Sequence, residues 1–316
     1  MFEGARVAVV VPCFNEERLI GRVIETMPEF VDQIFVVDDA STDGTVEVTR
    51  GFVERMAERV TLICHEENEG VGGAIATGYE AARKEQFDVT AVMAGDAQMD
   101  PTELERLVAP VVRDECDFAK GNRFFSGDAW KVIPRLRYIG NSVLSLLTKI
   151  ASGYWHVADS QSGFTVASRG VLDVIDWSRM HRRYGQPNDL LVRLNVNSFR
   201  VRDIPVRPIY GIGEVSGLRP ILLIPRLLWL LVRLFFHRMT HKYIIRDFHP
   251  LVFFYFSGLV LVPSGLALGS YLVFFRIFSG PVAGTSALLA AIMVITGFQF
   301  LFFAMWFDMD YNEHLR

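Results

Sequence analysis

Cysteine is scarce in this chain: three residues in 316, at Cys13, Cys64 and Cys116. They are widely spaced and form no metal-type pair, and a sparse, odd count fits a reducing compartment with buried thiols. The seven histidines contain no HExxH, which excludes the zincin pattern, and no serine, histidine and aspartate arrangement suggests a hydrolase. Nor does a GxGxxG follow the first apolar run. Pro12-Cys13-Phe14-Asn15-Glu16 stands in its place, so the standard dinucleotide fingerprint is absent. Basic charge is not in excess: Lys plus Arg number 32 against 36 Asp plus Glu, a net charge of −4. With no basic stripe in the first 200 residues, nucleic acid is excluded as the expected partner. A secretory leader is not expected either, because Val7–Val11 is too short for its apolar core and runs into Pro12.

What is present is unevenly distributed. Residues 1–218 have an ordinary soluble composition, and from about Pro220 the chain becomes strongly apolar. Two charge-free runs, Leu251–Phe275 and Val282–Phe307, are each long enough to cross about 30 Å of hydrocarbon. The short turn Arg276–Pro281 joins them. Ahead of them, Arg226, Arg233, His237 and His241 share one helical face, with Leu228, Leu231, Phe235 and Met239 mostly opposite, the pattern of a helix lying in a membrane interface. Arg226, Arg233, Arg238, Lys242 and Arg246 precede the first span, and only Arg276 lies between the spans. The positive-inside rule therefore expects a cytoplasmic N-terminal domain and a multi-pass protein of the cell membrane. The expected division is a catalytic domain over 1–218, juxtamembrane helices over 219–249, a transmembrane hairpin over 250–307 and a short cytoplasmic tail over 308–316.

The first hundred residues alternate β-branched runs with helical patterns. Strands are expected at Arg6–Val11, Gln33–Asp38, Val60–His65 and Val89–Ala94. Helices are expected at Glu16–Met27, from Asp43 or Thr42 to Glu58, and at Val71–Arg83. This alternation predicts an α/β fold with a doubly wound, mostly parallel sheet, whose ligands bind outside the carboxyl ends of the strands. A polar cluster follows each strand: Pro12–Glu16, Asp38–Asp39, Asn68–Gly73 and Asp96–Asp100. Asp38 and Asp39 read either as ligands or as turn residues, and Asn15 and Glu16 either as ligands or as the start of a helix. The glycines ahead of the third helix could approach phosphate through bare N–H groups or serve tight packing. Asp96 closes an apolar strand, where a carboxylate is costly to bury without a partner.

Six stretches occur in a recognisable order: VVVPCFNEE (Val9–Glu17), VVDDASTDGT (Val36–Thr45), NEGVGGA (Asn68–Ala74), AGDAQMDP (Ala94–Pro101), GNRF (Gly121–Phe124) and DSQSGF (Asp159–Phe164). In these the sequence resembles the family 2, GT-A-type glycosyltransferases, specifically the polyprenyl- or dolichyl-phosphate sugar synthases, over about residues 5–215. The resemblance implies a nucleotide pocket lined by Pro12, Asn15, Glu16, Asp38, Asp39, Asn68 and Gly70. It implies a Mg2+ or Mn2+ cofactor at Asp96 and Gln98, although Ala94 stands where the family has a first aspartate. Arg123, Arg135 and Arg137 would meet the acceptor phosphate, and Asp96, Arg123, Asp159 and Asp189 would form the catalytic set. The family's later Arg-x-x-Gly-x-Ser stretch is altered to Tyr210–Ser216, and Arg207 is not at the usual place.

The implied activity is transfer of a hexose from a nucleotide-sugar donor, of the GDP-mannose or UDP-glucose type, to a polyprenyl or dolichyl phosphate in the bilayer. It would be an inverting displacement aided by the metal. Two other readings stay open: a family 2 enzyme with a hydroxyl acceptor, for which Asp189 is the sole candidate base, and a catalytically silent nucleotide-sugar-binding scaffold in the membrane. Nothing in the sequence sets the oligomeric state, and a homo-oligomer stays open.

Overall fold

The computed structural model of the chain describes residues 1–125, 135–207, 209 and 220–316, with the backbone alone at 135–137 and 220–223. Its contacts divide it into two compact units, Met1–Phe235 with Leu315–Arg316, and Phe236–His314.

The first unit begins as the periodicity predicts. Strands β1 (Val7–Cys13), β2 (Gln33–Asp38), β3 (Val60–Cys64) and β4 (Val89–Val92) alternate with helices α1 (Ile20–Glu25), α2 (Thr45–Arg55) and α3 (Val71–Lys84). Helix α1 is shorter than expected, because Glu16–Leu19 forms a turn ahead of it, with the Leu19 and Ile20 N–H groups donating to the Glu16 carbonyl. Helix α4 (Leu104–Val112), β5 (Phe118–Asn122), α5 (Arg135–Ser152), β6 (Thr165–Ser168), α6 (Arg169–Val174), α7 (Gln186–Val196) and β7 (Val201–Pro205) follow. The seven strands described form one sheet in the order β3-β2-β1-β4-β6-β5-β7. The pairs β1–β2, β1–β4, β2–β3 and β5–β7 are parallel, and β6 runs antiparallel to both β4 and β5.

Strand β1 is buried at all seven positions, as a central parallel strand covered on both faces must be. Successive residues serve opposite layers. Val7, Val9 and Val11 pack with Ile20, Ile24, Phe52 and Leu107, while Ala8 and Val10 pack with Ala74, Ile75 and Tyr79 of α3. Each such valine contributes about 1.5–3 kcal/mol relative to an exposed position.

Helix α8 (Pro220–Thr240) starts in the first unit. Leu227, Leu231 and Leu234 are buried there, and Leu230 and Leu234 pack against Val192 and Val196 of α7. The expected facing is therefore revised. Leu231 turns inward, whereas Leu228 stays exposed beside Ile224, Trp229 and Val232. A helix seated on a protein neighbour must divide its apolar residues between that neighbour and the outside.

In the second unit a π-helical turn, His241–Arg246, leads to α9 (Leu251–Phe278) and α10 (Gly284–Tyr311). Both are long and apolar enough to cross a membrane, and each ends a few residues beyond its expected run. They pack side by side where glycine removes bulk: a Cβ on Gly297 would stand 2.9 Å from the Val262 nitrogen. Arg238 is fully buried and makes a bidentate pair with Asp308, at 2.6 and 2.9 Å. Tyr243 donates its hydroxyl to Asp308, and Lys242 donates to Asn312. Burial pushes the Lys242 ammonium down to about 7. Arg238 and Lys242, counted above among the positive charges ahead of the first span, are thus engaged inside this unit.

Removing one partner of a buried ion pair leaves the other charge unpaired, at about 3–5 kcal/mol. Asp308→Leu should lower the thermal midpoint of the purified protein strongly, while Arg238→Met combined with Asp308→Leu should recover most of the loss. An additive double variant in a thermal melt would refute the coupling.

Candidate functional site

The parallel pairing sets the carboxyl ends of β1, β2 and β4 side by side. Cys13 lies opposite Asp38 in register, and the Gly95 N–H just beyond β4 donates to the Pro12 carbonyl, 3.1 Å away. The polar cluster after each strand therefore reaches one edge of the sheet. Because β6 is antiparallel to its neighbours, the segment entering it, Asp159–Phe164, arrives at this same edge, where β5 also ends in Asn122 and Arg123.

At the end of β1, Asn15 adopts a left-handed backbone at φ 58°. Its side-chain oxygen accepts from the Thr42 N–H at 2.8 Å, and its own N–H donates to Ser41 Oγ. The Glu16 N–H donates to Thr45 Oγ1. The first loop is thereby tied to the one after β2, where Asp43 accepts from the Thr45 N–H and hydroxyl as a capping residue.

Asp38 and Asp39 are both buried. Asp38 accepts from the Ser41 N–H. Asp39 is the hub of the next connection: its carboxylate accepts from the Glu69 and Gly70 N–H groups, each at 2.8 Å, and contacts His65 Nδ1 at 2.9 Å. Asn68 Nδ2 donates to the Asp39 carbonyl. The glycines here serve close packing. The Gly72 and Gly73 N–H groups donate to the Arg182 carbonyl, and a Cβ on Gly72 would fall 2.2 Å from the His181 oxygen. The Gly70, Gly72 and Gly73 N–H groups that could have met phosphate are thus used within the protein.

Asp96 lies four residues past the end of β4, in a loop with Ala97 at φ 55°. Its Oδ1 accepts from the Gln98 N–H at 3.0 Å. Asp100 caps the short turn after it through Thr102. Burial, then repulsion from Asp96 and from Asp43, pushes the Glu16 carboxyl up to about 7. A nearby cation would relieve the cost that the Asp96 charge places on ionising Glu16. Among the described residues no three His, Cys, Asp or Glu side chains converge as a metal cage. Asp96, with Glu16 beside it, fits instead a hard divalent ion whose shell is completed by substrate phosphate and water.

Across the site Asp159, fully buried, accepts from Arg123 Nε at 2.7 Å, Nη2 at 3.0 Å and its backbone N–H at 3.2 Å. Burial alone would raise this carboxyl, yet the Arg123 guanidinium holds it below the usual carboxylate value. Asp189 brackets the loop before α7, accepting from the His181 N–H at 2.8 Å and from Arg193 Nε at 2.9 Å. The side chains of Arg135 and Arg137 lie outside the described residues, as does the altered stretch Tyr210–Ser216.

Two residues that sequence reasoning missed complete the frame. Lys120, buried on β5, donates to the Ser162 carbonyl. Burial pushes its ammonium down to about 8 against the opposing pull of Asp159 and Asp203. Asp203 accepts from Asn122 Nδ2 and from the Ala158 N–H at 2.7 Å, fixing both sides of the Arg123–Asp159 pair. Neither sits in a motif. For Lys120 the one hint is a lone charge within its short strand, and Asp203, next to Arg202, gives none.

The family model described as glycosyl transferase family 2 matches residues 8–176, a little over half the chain. The chain belongs to glycosyl transferase family 2. As a member of that family it is a glycosyltransferase, and the sheet described above is its GT-A-type scaffold. It is 28% identical over 214 residues, 64% of this chain and 85% of the relative, to the UDP-N-acetylglucosamine–dolichyl-phosphate N-acetylglucosaminyltransferase of Methanococcus voltae. It is 27% identical to the polyprenol monophosphomannose synthase of Mycolicibacterium smegmatis, covering 67% of this chain and 82% of that one. Glucosyl-3-phosphoglycerate synthase from Mycobacterium tuberculosis, solved with Mn2+, uridine diphosphate and phosphoglyceric acid, shares the fold at a TM-score of 0.54 and 19% identity. That match covers 74% of this chain and 78% of the other.

In this family 2 enzyme the raised Glu16 carboxyl has a defined pH signature. A folded-state pKa above the unfolded one gives stability that is complete below the unfolded value of about 4.5 and is lost as pH rises through about 7. Carboxyl-carbon NMR of glutamate-labelled protein should show one glutamate titrating near about 7. Asp96→Asn should move that midpoint downward, and an unmoved midpoint would separate the two carboxylates.

Proposed function

We propose that the chain transfers a hexose from a nucleotide sugar to a polyprenyl or dolichyl phosphate at the cytoplasmic face of a membrane. The observation that carries this reading is the coexistence of two features in one chain. Neighbouring carboxylates and an aspartate-held arginine lie at one edge of the sheet on a family 2 scaffold, and two apolar helices of membrane-spanning length follow in the chain. The named activities of the Methanococcus and Mycolicibacterium relatives support a lipid-phosphate acceptor.

In this reading Pro12, Asn15, Glu16, Asp38, Asp39, Asn68 and Gly70 form the donor's nucleoside side, where Asp38 accepts from base or ribose donors and Asp39 holds the Asn68–Gly70 loop in place. Asp96, with Gln98, would hold a Mg2+ or Mn2+ ion, which would supply positive charge to the leaving diphosphate. Arg123 is pre-oriented by Asp159 and aims a fixed positive charge at the developing diphosphate. Such preorganised donors are worth about 100–1000-fold in rate. Arg135 and Arg137 take the acceptor phosphate. That oxygen is already anionic, so the attack needs no general base, and a single displacement inverts the anomeric carbon.

A hydroxyl acceptor would need a base. Asp189 is a poor one, because its two oxygens are engaged by His181 and Arg193. Residues 1–218 are the catalytic domain in this reading, 219–249 the juxtamembrane segment, 250–307 the spanning hairpin and 308–316 a cytoplasmic tail. With Arg238 and Lys242 engaged internally, exposed Arg226, Arg233 and Arg246 still outnumber Arg276, which supports a cytoplasmic catalytic side.

The test is a panel of nucleotide sugars offered to the purified, detergent-solubilised chain with polyprenyl phosphate and with free sugars. Transfer to the lipid phosphate alone is expected, and it should be lost in excess chelator. Asp96→Ala should lower turnover by about 100-fold or more with an unchanged melting profile. Transfer confined to free sugars, or near-normal turnover of the Asp96 variant, would overturn the assignment.

A further inference from the structure

Helix α5 (Arg135–Ser152) is inside out. Its buried side is small and polar: Ser145, Thr148, Ala151 and Ser152 are each at most 2% exposed. Thr148 Oγ1 donates to Asn188 Oδ1 of α7 at 2.8 Å, and Ser145 Oγ pairs with Ser160 Oγ at 3.1 Å. Its outer side carries Ile139, Val143 and Leu146, which are 61%, 54% and 57% exposed. Their spacing of four and three is that of one helical stripe, about 10 Å long at 1.5 Å per residue. In water a surface helix of a folded domain has the opposite arrangement.

Charge narrows the choice of what lies against this stripe. The helix carries Arg135, Arg137 and Lys149 and no acidic residue in its 18 positions, in a chain whose net charge is −4. Helix α8 repeats the pattern within the first unit. It also packs on α7, carries Arg226 and Arg233 without an acidic residue, and exposes Ile224, Leu228, Val232 and Trp229, the last by 72%. A basic, acid-free helix with an outward apolar stripe and an exposed tryptophan has the composition of a helix in the headgroup layer of an anionic bilayer. Both helices are basic, acid-free and apolar on the outside, the tryptophan being on α8 alone, and both pack on α7.

We propose that the outward stripe of α5, Ile139, Val143 and Leu146, is a membrane-contacting surface of the catalytic unit itself, seated in an anionic lipid headgroup layer. The contact is separate from the hairpin that anchors the chain. It rests on the reading of the chain as membrane-anchored and adds a contact to it. The stripe follows directly on Arg135 and Arg137, so a lipid phosphate held by those arginines would belong to the same layer that the stripe enters.

The test uses the full chain reconstituted in vesicles of phosphatidylcholine with phosphatidylglycerol. Cys64, the exposed cysteine, is replaced by serine, and a nitroxide is attached in turn at Val143→Cys, Leu146→Cys, Glu54→Cys on α2 and Phe274→Cys in the hairpin. Collision with oxygen is compared with collision with a water-soluble nickel chelate. Positions 143 and 146 should show an oxygen-to-nickel ratio at least about 3-fold above that at position 54, in the direction of position 274. A ratio equal to that at position 54 would overturn the proposal while leaving the anchor intact. Shielding of 143 and 146 from both reagents would also overturn it, since protein would then cover the stripe. If position 274 itself collides with nickel as position 54 does, the membrane reading fails and this inference fails with it.

Discussion

The site depends on the parallel alignment of β1 with β2 and β4. Strand β1 is buried on both faces, and its register puts Cys13 beside Asp38. A one-residue slip would move every valine of β1 to the wrong layer. It would also draw Asn15, Glu16 and the loop beyond β4 out of line with Asp38 and Asp39. The hydrophobic layers therefore hold the polar edge in place, and the energy of the core is what brings repelling carboxylates together.

At that edge two kinds of polar residue are distinguished by their partners. Asp39, Asp43, Asp100 and Asp189 are engaged by backbone N–H groups and neighbouring side chains. They hold loops, and a buried acceptor so satisfied is stable where an unsatisfied one is costly. Asp96 likewise accepts from the Gln98 N–H, but its charge also raises the cost of ionising Glu16, and Arg123 is held rigid by Asp159 over both carboxylate oxygens. The Glu16–Asp96 repulsion and the arginine fixed by its carboxylate lie at the same edge of the sheet, and in the proposed function they meet a diphosphate with its counter-cation.

The second unit solves a different problem. A bidentate Arg238–Asp308 pair with Tyr243, Lys242 and Asn312 around it is a high-stakes arrangement in an apolar setting, because each group is costly if its partner leaves. The pair ties the end of α8 to the end of α10, so the residues leading into the hairpin are fixed to the residues leading out of it. In the first unit, α5 and the first part of α8 turn apolar stripes outward from a shared neighbour, α7.

Much was legible before any coordinates. Periodicity revealed β1 to β4 and α2 and α3, and the two 28-residue apolar helices stood out by length alone. The order of motifs pointed to the family and to the residues at the strand ends, because strand alternation and loop chemistry are local properties written in neighbouring residues. The division of labour among those residues was not local. That Asp39 holds Gly70, that Asp159 holds Arg123 across 36 positions, that Arg182 occupies the glycine N–H groups, and that Arg238 finds Asp308 seventy residues on depend on which segments the sheet and hairpin bring together. The sequence alone determined the elements, the family and the kind of chemistry, through periodic burial and motif order. Only the tertiary structure decided which charged groups are matched and which repel, because a side chain's partner is set by packing between segments remote in sequence.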